Sequence, residues 1–165
     1  MKNDNYRPKY TQPPKLDEAG LVAYLKTQPD VAAAYLFGSL ATGKATEHSD
    51  IDIAILLTQA PEDPLQALYR RADLMSAVAR FADRETDVAI LNRADPILAN
   101  QILSFGRLLY EGNRAARVRF EVAAGMEYAD YKPTFDYFAD VMLRQIKEGR
   151  FAKRRRSRRA TESAA

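Results

Sequence analysis

The chain contains no cysteine and a single histidine, His48. The first absence excludes a disulfide scaffold, thiol catalysis and a cysteine-based zinc site, and it fits a cytoplasmic setting. One histidine excludes any multi-histidine zinc centre. No apolar run approaches the roughly 18 residues needed to cross a bilayer, so no membrane partner is expected. The opening MKNDNYRPKYTQPPK is polar and proline-rich, unlike a secretory leader. There is no internal repeat. What remains is 165 residues, 47% hydrophobic and 28% charged, the balance of an ordinary globular domain with a real core.

The formal charge of +3 is unevenly spread. Lys153, Arg154, Arg155, Arg156, Arg158 and Arg159 place six positive charges in seven residues, so the body of the chain is mildly acidic. Such a run can bind nucleic-acid phosphates in a salt-dependent way, but no aromatic is interleaved for base stacking. Weak nucleic-acid contact by residues 153–159 is the most it implies, and a solvated terminus is the simpler reading. The expected organisation is a flexible arm at 1–15, one domain at 16–150 and a basic, disordered tail at 151–165.

Periodicity orders the middle. Ala19, Val22 and Leu25 have helical spacing between Leu16 and about Gln28, where Pro29 ends the pattern. VAAAYLF (31–37) and IDIAILL (51–57) read as strands, as does TDVAIL (86–91). Between them, Leu65, Leu68, Ala72, Met75, Ala79 and Ala82 recur at three- and four-residue steps, an amphipathic helix over 64–83. Pro96 suits the first turn of a helix running to Phe105. RLLYEG (107–112) reads as a fourth strand, and 114–149 as helical with a break near Pro133. Phe135, Phe138, Met142 and Ile146 share one face there. The fold class is α/β (α+β): a small mixed sheet of three to four strands flanked by helices.

The stretch FGSLATGKATEHSDIDIAILL puts two carboxylates at the start of an apolar strand. Alternation sends Asp50 and Asp52 to one face and Ile51, Ile53 and Ile55 to the other. Two residues along a strand span about 6.6 Å. Carboxylates at that distance repel by roughly 2.5 kcal/mol at an effective dielectric near 20. A divalent cation between them turns repulsion into attraction, and magnesium favours such hard oxygen ligands. Asp87, second in strand 86–91, can join them if the strands are neighbours. Gly38-Ser39, just past a strand, offers close backbone approach, helix-start amides and a hydroxyl: a phosphate cradle.

Together these give Gly-Ser-x10-Asp-x-Asp, a combination expected by chance about once in several hundred chains of this length. GSLATGKATEHSDIDIAIL and TDVAILN resemble the minimal nucleotidyltransferases of the DNA polymerase β superfamily over about residues 17–112. LLYEGN and YADYKPTFDYF look like their MntA subgroup, antitoxins of the HEPN/MNT type. The resemblance implies a polymerase-β-like nucleotidyltransferase fold and catalysis by Asp50, Asp52 and Asp87, which would hold two Mg²⁺ ions. Gly38, Ser39 and Ser49 would bind ATP as co-substrate. It implies AMP transfer to a tyrosine of a cognate HEPN ribonuclease toxin, the expected partner in a hetero-oligomer. Many members carry an arginine shortly after Gly-Ser; here Leu40, Ala41 and Thr42 stand there, with Lys44 the nearest cation.

Other residues carry less. His48 beside Asp50 reads as a loop histidine. Arg70, Arg71, Arg80 and Arg84 read as the solvated face of the 64–83 helix. Tyr128, Tyr131, Phe135, Tyr137 and Phe138 read as core packed on the sheet, or as a toxin-docking surface. Two other functions compete: nucleotidyl transfer to a small molecule such as an antibiotic, and a toxin-binding antitoxin without catalysis. Deleting residues 153–165 is expected to leave AMP transfer intact. A fall of about tenfold in label moved from ATP to the partner would mean the tail takes part.

Overall fold

The structure of the protein, a computed structural model, describes residues 11–148. Most of the expected arm and the whole basic tail lie outside these residues. In chain order the elements are α1 (Glu18–Leu25), β1 (Val31–Phe37), α2 (Gly38–Ala41), β2 (Ile51–Leu57), α3 (Pro64–Val78), β3 (Thr86–Ile90), α4 (Pro96–Phe105), β4 (Arg107–Glu111) and α5 (Arg114–Lys147). Short 3-10 turns at Ala79–Phe81 and Leu91–Arg93 follow α3 and β3. The described residues gather into two compact units, one ending at Gly125 and the other beginning at Met126.

Helix starts follow from sequence chemistry. Asp17, Asp63 and Asp95 cap α1, α3 and α4, each accepting a backbone N–H from the first turn. Pro64 and Pro96 occupy the next position, where a missing N–H costs nothing. Asp95 Oδ1 accepts from both Ile97 N (3.0 Å) and Leu98 N (2.9 Å).

The four strands form one mixed sheet in the order β3-β2-β1-β4. β1 is antiparallel to both β2 and β4, while β2 and β3 run parallel. Alternation along β2 separates two cores. Ile51, Ile53 and Ile55 pack with Leu36, Val88, Leu21, Leu25, Leu74 and Val78 on the α1 and α3 side. Ala54 and Leu56 pack with Tyr35, Leu91, Ile102 and Ala116 on the other. Asn92 extends the parallel pairing with its side chain: Oδ1 accepts from Leu57 N (2.8 Å) and Nδ2 donates to Leu57 O (3.0 Å).

Two expectations need correction. No break occurs near Pro133; α5 is continuous through it. Proline there removes one N–H and orphans the carbonyl of Ala129, but both residues are exposed, so the carbonyl is open to solvent. The aromatic segment is not core either. Phe135, Phe138, Met142 and Ile146 do share a face, as the spacing requires, yet all are exposed. Among the described residues no helix is long and apolar enough to cross a membrane.

Leu74 is fully buried on α3, the helix that follows β2 and leads back to β3. Leu74→Ala is expected to destabilise the fold by about 2–5 kcal/mol, read as an earlier urea midpoint with an unchanged slope.

Candidate functional site

The parallel pairing of β2 with β3 puts the starts of both strands at the same end of the sheet, with Asp52 and Asp87 as register partners. On the other side of β2, Asp52 pairs with Phe37, the residue before Gly38. The phosphate turn and the third carboxylate therefore flank Asp52 from opposite sides.

Gly38 has φ of +70°, the left-handed region that glycine enters without penalty. A Cβ at Gly38 would lie 2.1 Å from Asp52 Oδ2. Both facts require glycine here, and they set the Asp52 carboxylate directly against the turn that opens α2. The Gly38 carbonyl accepts from Thr42 N (3.3 Å) and Thr42 Oγ1 (3.1 Å), and the Ser39 carbonyl from Lys44 N (2.9 Å). These bonds tie down the carbonyl side of the turn; the first amides of a helix have no partner within it.

Ser49 is placed in the loop between α2 and β2. Its Oγ accepts from Thr46 N at 2.9 Å and lies 3.4 Å from Thr46 Oγ1, so it shapes the loop that delivers Asp50. Asp50 itself is exposed and stands one residue before β2 begins. His48 is exposed, with Nε2 3.7 Å from Glu47 Oε1, as a loop histidine should be.

The electrostatics centre on Asp52. Its carboxyl is raised above the usual range, first by burial, then by the charge of Asp87, then by that of Asp50. Three negative groups act on one another at a sheet end. A hard divalent cation suits this donor set, because it would relieve the repulsion at Asp52 that the protein leaves uncompensated. Among the described residues, however, no three acidic or histidine side chains stand close enough to share an ion as they lie.

Arg71 accounts for the position of Asp87. Its Nη2 donates to Asp87 Oδ1 at 2.7 Å, and its Nε donates to the Val88 carbonyl at 2.6 Å. The expectation of a solvated arginine face is thus corrected for Arg70 and Arg84, which are partly buried, while Arg71 and Arg80 are exposed as expected. Arg70 makes a two-pronged pair with Asp30 (2.8 and 2.6 Å). The Arg80 guanidinium lies 5.3 Å from the centre of the Tyr24 ring, and the Arg84 side chain is 6% exposed. Helical period cannot distinguish an arginine that reaches a neighbouring strand from one in water. Lys44, the cation nearest the Gly-Ser pair in sequence, is exposed.

Comparison with known proteins places the chain in a family. The profile of the family described as Polymerase beta, Nucleotidyltransferase matches residues 20–115. A curated relative, the protein adenylyltransferase MntA of Shewanella oneidensis, is 29% identical over 97 residues. That match covers 58% of this chain and 66% of the relative, just under two thirds of its length. A crystal structure of a toxin–antitoxin with AMP-PNP superposes with a TM-score of 0.61 at 26% identity, covering 78% of this chain and 99% of that one. A complex of tri-AMPylated Shewanella oneidensis HEPN toxin with MNT antitoxin gives 0.56 at 24% identity, covering 76% and 95%, and bears on the fold alone.

Gly38→Ala is expected to cost about 1–3 kcal/mol and to displace the Asp52 carboxylate, seen as a lower melting temperature together with lost nucleotide binding. Asp52→Asn should act oppositely on stability. A carboxyl raised in the folded state binds protons more tightly folded than unfolded, so it lowers stability as pH rises through that window and above it. The asparagine variant is therefore expected to melt higher than the parent at neutral pH. The difference should vanish below the unfolded carboxylate range; a pH series of thermal melts measures it.

Proposed function

Because the chain belongs to the polymerase β nucleotidyltransferase family, we propose that it is a protein adenylyltransferase of the MntA kind. It moves AMP from ATP to a tyrosine of a HEPN-domain toxin in the cytoplasm and so acts as that toxin's antitoxin. The observation that carries this reading is the register that sets Asp52 between the Gly38 turn and Asp87. Support for the protein acceptor comes from the relative, which is named for that activity, and from the solved toxin–antitoxin with an ATP analogue.

The residues divide the work. The amides at the start of α2 and the Ser39 hydroxyl bind the β- and γ-phosphates, with helix-start polarity favouring the negative charge. Asp50 and Asp52 would hold Mg²⁺, with Asp87 completing a second metal position. When bound, the ions would neutralise charge on the entering and leaving oxygens of the displacement. Asp87 accepts the proton of the attacking hydroxyl. For Asp87 to serve both ends, its carboxylate must be shared with Arg71 or released from it. An ion pair this exposed, with side chains 44% and 57% open, holds by no more than about 1 kcal/mol and permits the exchange.

Incubation with the HEPN partner, Mg²⁺ and ATP labelled at either the α- or the γ-phosphate separates the alternatives. Only the α label is expected on the partner. Label from the γ position would mean phosphoryl transfer, and suppressed toxicity without either label would mean inhibition by contact. The Asp50→Ala/Asp52→Ala double variant is expected to lose at least ~100-fold in transfer, and chelation of divalent ions should abolish it.

A further inference from the structure

Met126 opens the second compact unit, and α5 runs on from there to Lys147. At 1.5 Å per residue that stretch is about 33 Å of helix. Along it Tyr128, Tyr131, Phe135, Phe138 and Met142 follow at steps of three, four, three and four, the spacing of a coiled-coil seam. Ile146 continues the stripe by one turn. Tyr131, Phe135, Phe138, Met142 and Ile146 are between 44% and 63% exposed, and the Tyr131 and Phe135 rings already lie 6.3 Å apart along the seam. Pro133 falls on the opposite side of the helix, where its ring does not interrupt the stripe. We propose that this face is a dimer interface whose occupant is the same face of a second copy of this chain. The two helices pack antiparallel about a two-fold axis between Phe135 and Phe138. The pairing goes beyond the transfer reaction and does not rest on it.

Charge decides the occupant and its direction. Glu127, Asp130, Asp136 and Asp140 lie in the earlier part of the stretch with Lys132 the one cation among them, whereas Arg144 and Lys147 lie at its end. With Phe135 level with Phe138 of the second copy, Tyr131 comes level with Met142, whose thioether suits an aromatic neighbour. In the same register Lys132 comes within one residue of Asp140, Arg144 within one of Asp130, and Lys147 within one of Glu127. Every cation of the stretch thus stands level with a carboxylate. A parallel pair would instead set each charge beside its own counterpart, Asp130 against Asp130, and repel. A different partner would have to supply this spacing and charge order itself; a second copy has both by identity. Half-exposed side chains of this size offer about 100 Å² each, so six on each copy bury roughly 1,200 Å² in all, the lower bound of a specific interface.

Sedimentation equilibrium of the full chain is expected to give twice the monomer mass at about 50 μM, above the micromolar limit for such interfaces. Phe135→Glu/Phe138→Glu puts like charges at the axis and is expected to weaken association at least ~100-fold, with the amide resonances of β1, β2 and β3 in place. Phe135→Leu/Phe138→Leu should remain dimeric. Direction is read by disulfide formation, since the native chain has no cysteine. Tyr131→Cys mixed with Met142→Cys is expected to form the crossed pair, and neither variant alone is expected to link to itself. A monomeric parent, a dimer indifferent to the two glutamates, or self-linked Tyr131→Cys would overturn the proposal. So would a parent that is monomeric alone and whose Phe135→Glu/Phe138→Glu variant loses the HEPN partner, a result that assigns the face to that partner.

Discussion

The register of β2 is the constraint on which the rest depends. This strand is hydrogen-bonded on both sides and buried on both faces, and Asp52 is its single charged residue. A one-residue slip would exchange the faces and drive Asp52 into the leucine and valine core against α1 and α3. The alternation of Ile51, Ile53 and Ile55 with Ala54 and Leu56 prevents that slip, because the two sides differ so much in volume. Packing that looks purely structural thus aims a carboxylate, and Gly38 and Asp87 inherit their positions from it.

Charge at this sheet end is held in tension rather than neutralised. Burial and two neighbouring carboxylates all oppose ionisation of Asp52, while Arg71 offsets only Asp87. The protein balances its other ionic groups more evenly. Arg107 is paired with Glu18 and Arg117 with both Glu111 and Glu121; the latter glutamate also accepts from the Tyr35 hydroxyl, whose ionisation is pushed up by burial and by that neighbour. Against that background the imbalance around Asp52 stands out.

Much of this was legible in the chain. β1, β2 and α4 begin and end where apolar runs, Gly38 and Pro96 imply, and the Gly-Ser-x10-Asp-x-Asp spacing pointed to the turn and strand that meet. Long-range placement was less legible. That Arg71 reaches β3 depends on how α3 lies over the sheet, and an arginine on a helix reads alike whether it faces water or a carboxylate. Pro133 misled for a different reason: a helix tolerates proline where solvent can take up the orphaned carbonyl, and exposure is not written locally. The aromatic face of α5 has core-like spacing, but spacing alone says which residues share a side, not what covers them.

β3 is an edge strand, paired with β2, and Arg71 rather than a further strand bonds its Val88 carbonyl. Asp87 therefore belongs to an edge strand of the sheet, while Asp52 belongs to an interior one. Substitutions at the outer rim of β3 therefore disturb one strand pairing, whereas those in β2 disturb two. A sheet divided in this way can vary at its rim over evolutionary time while the register of its interior strands is kept.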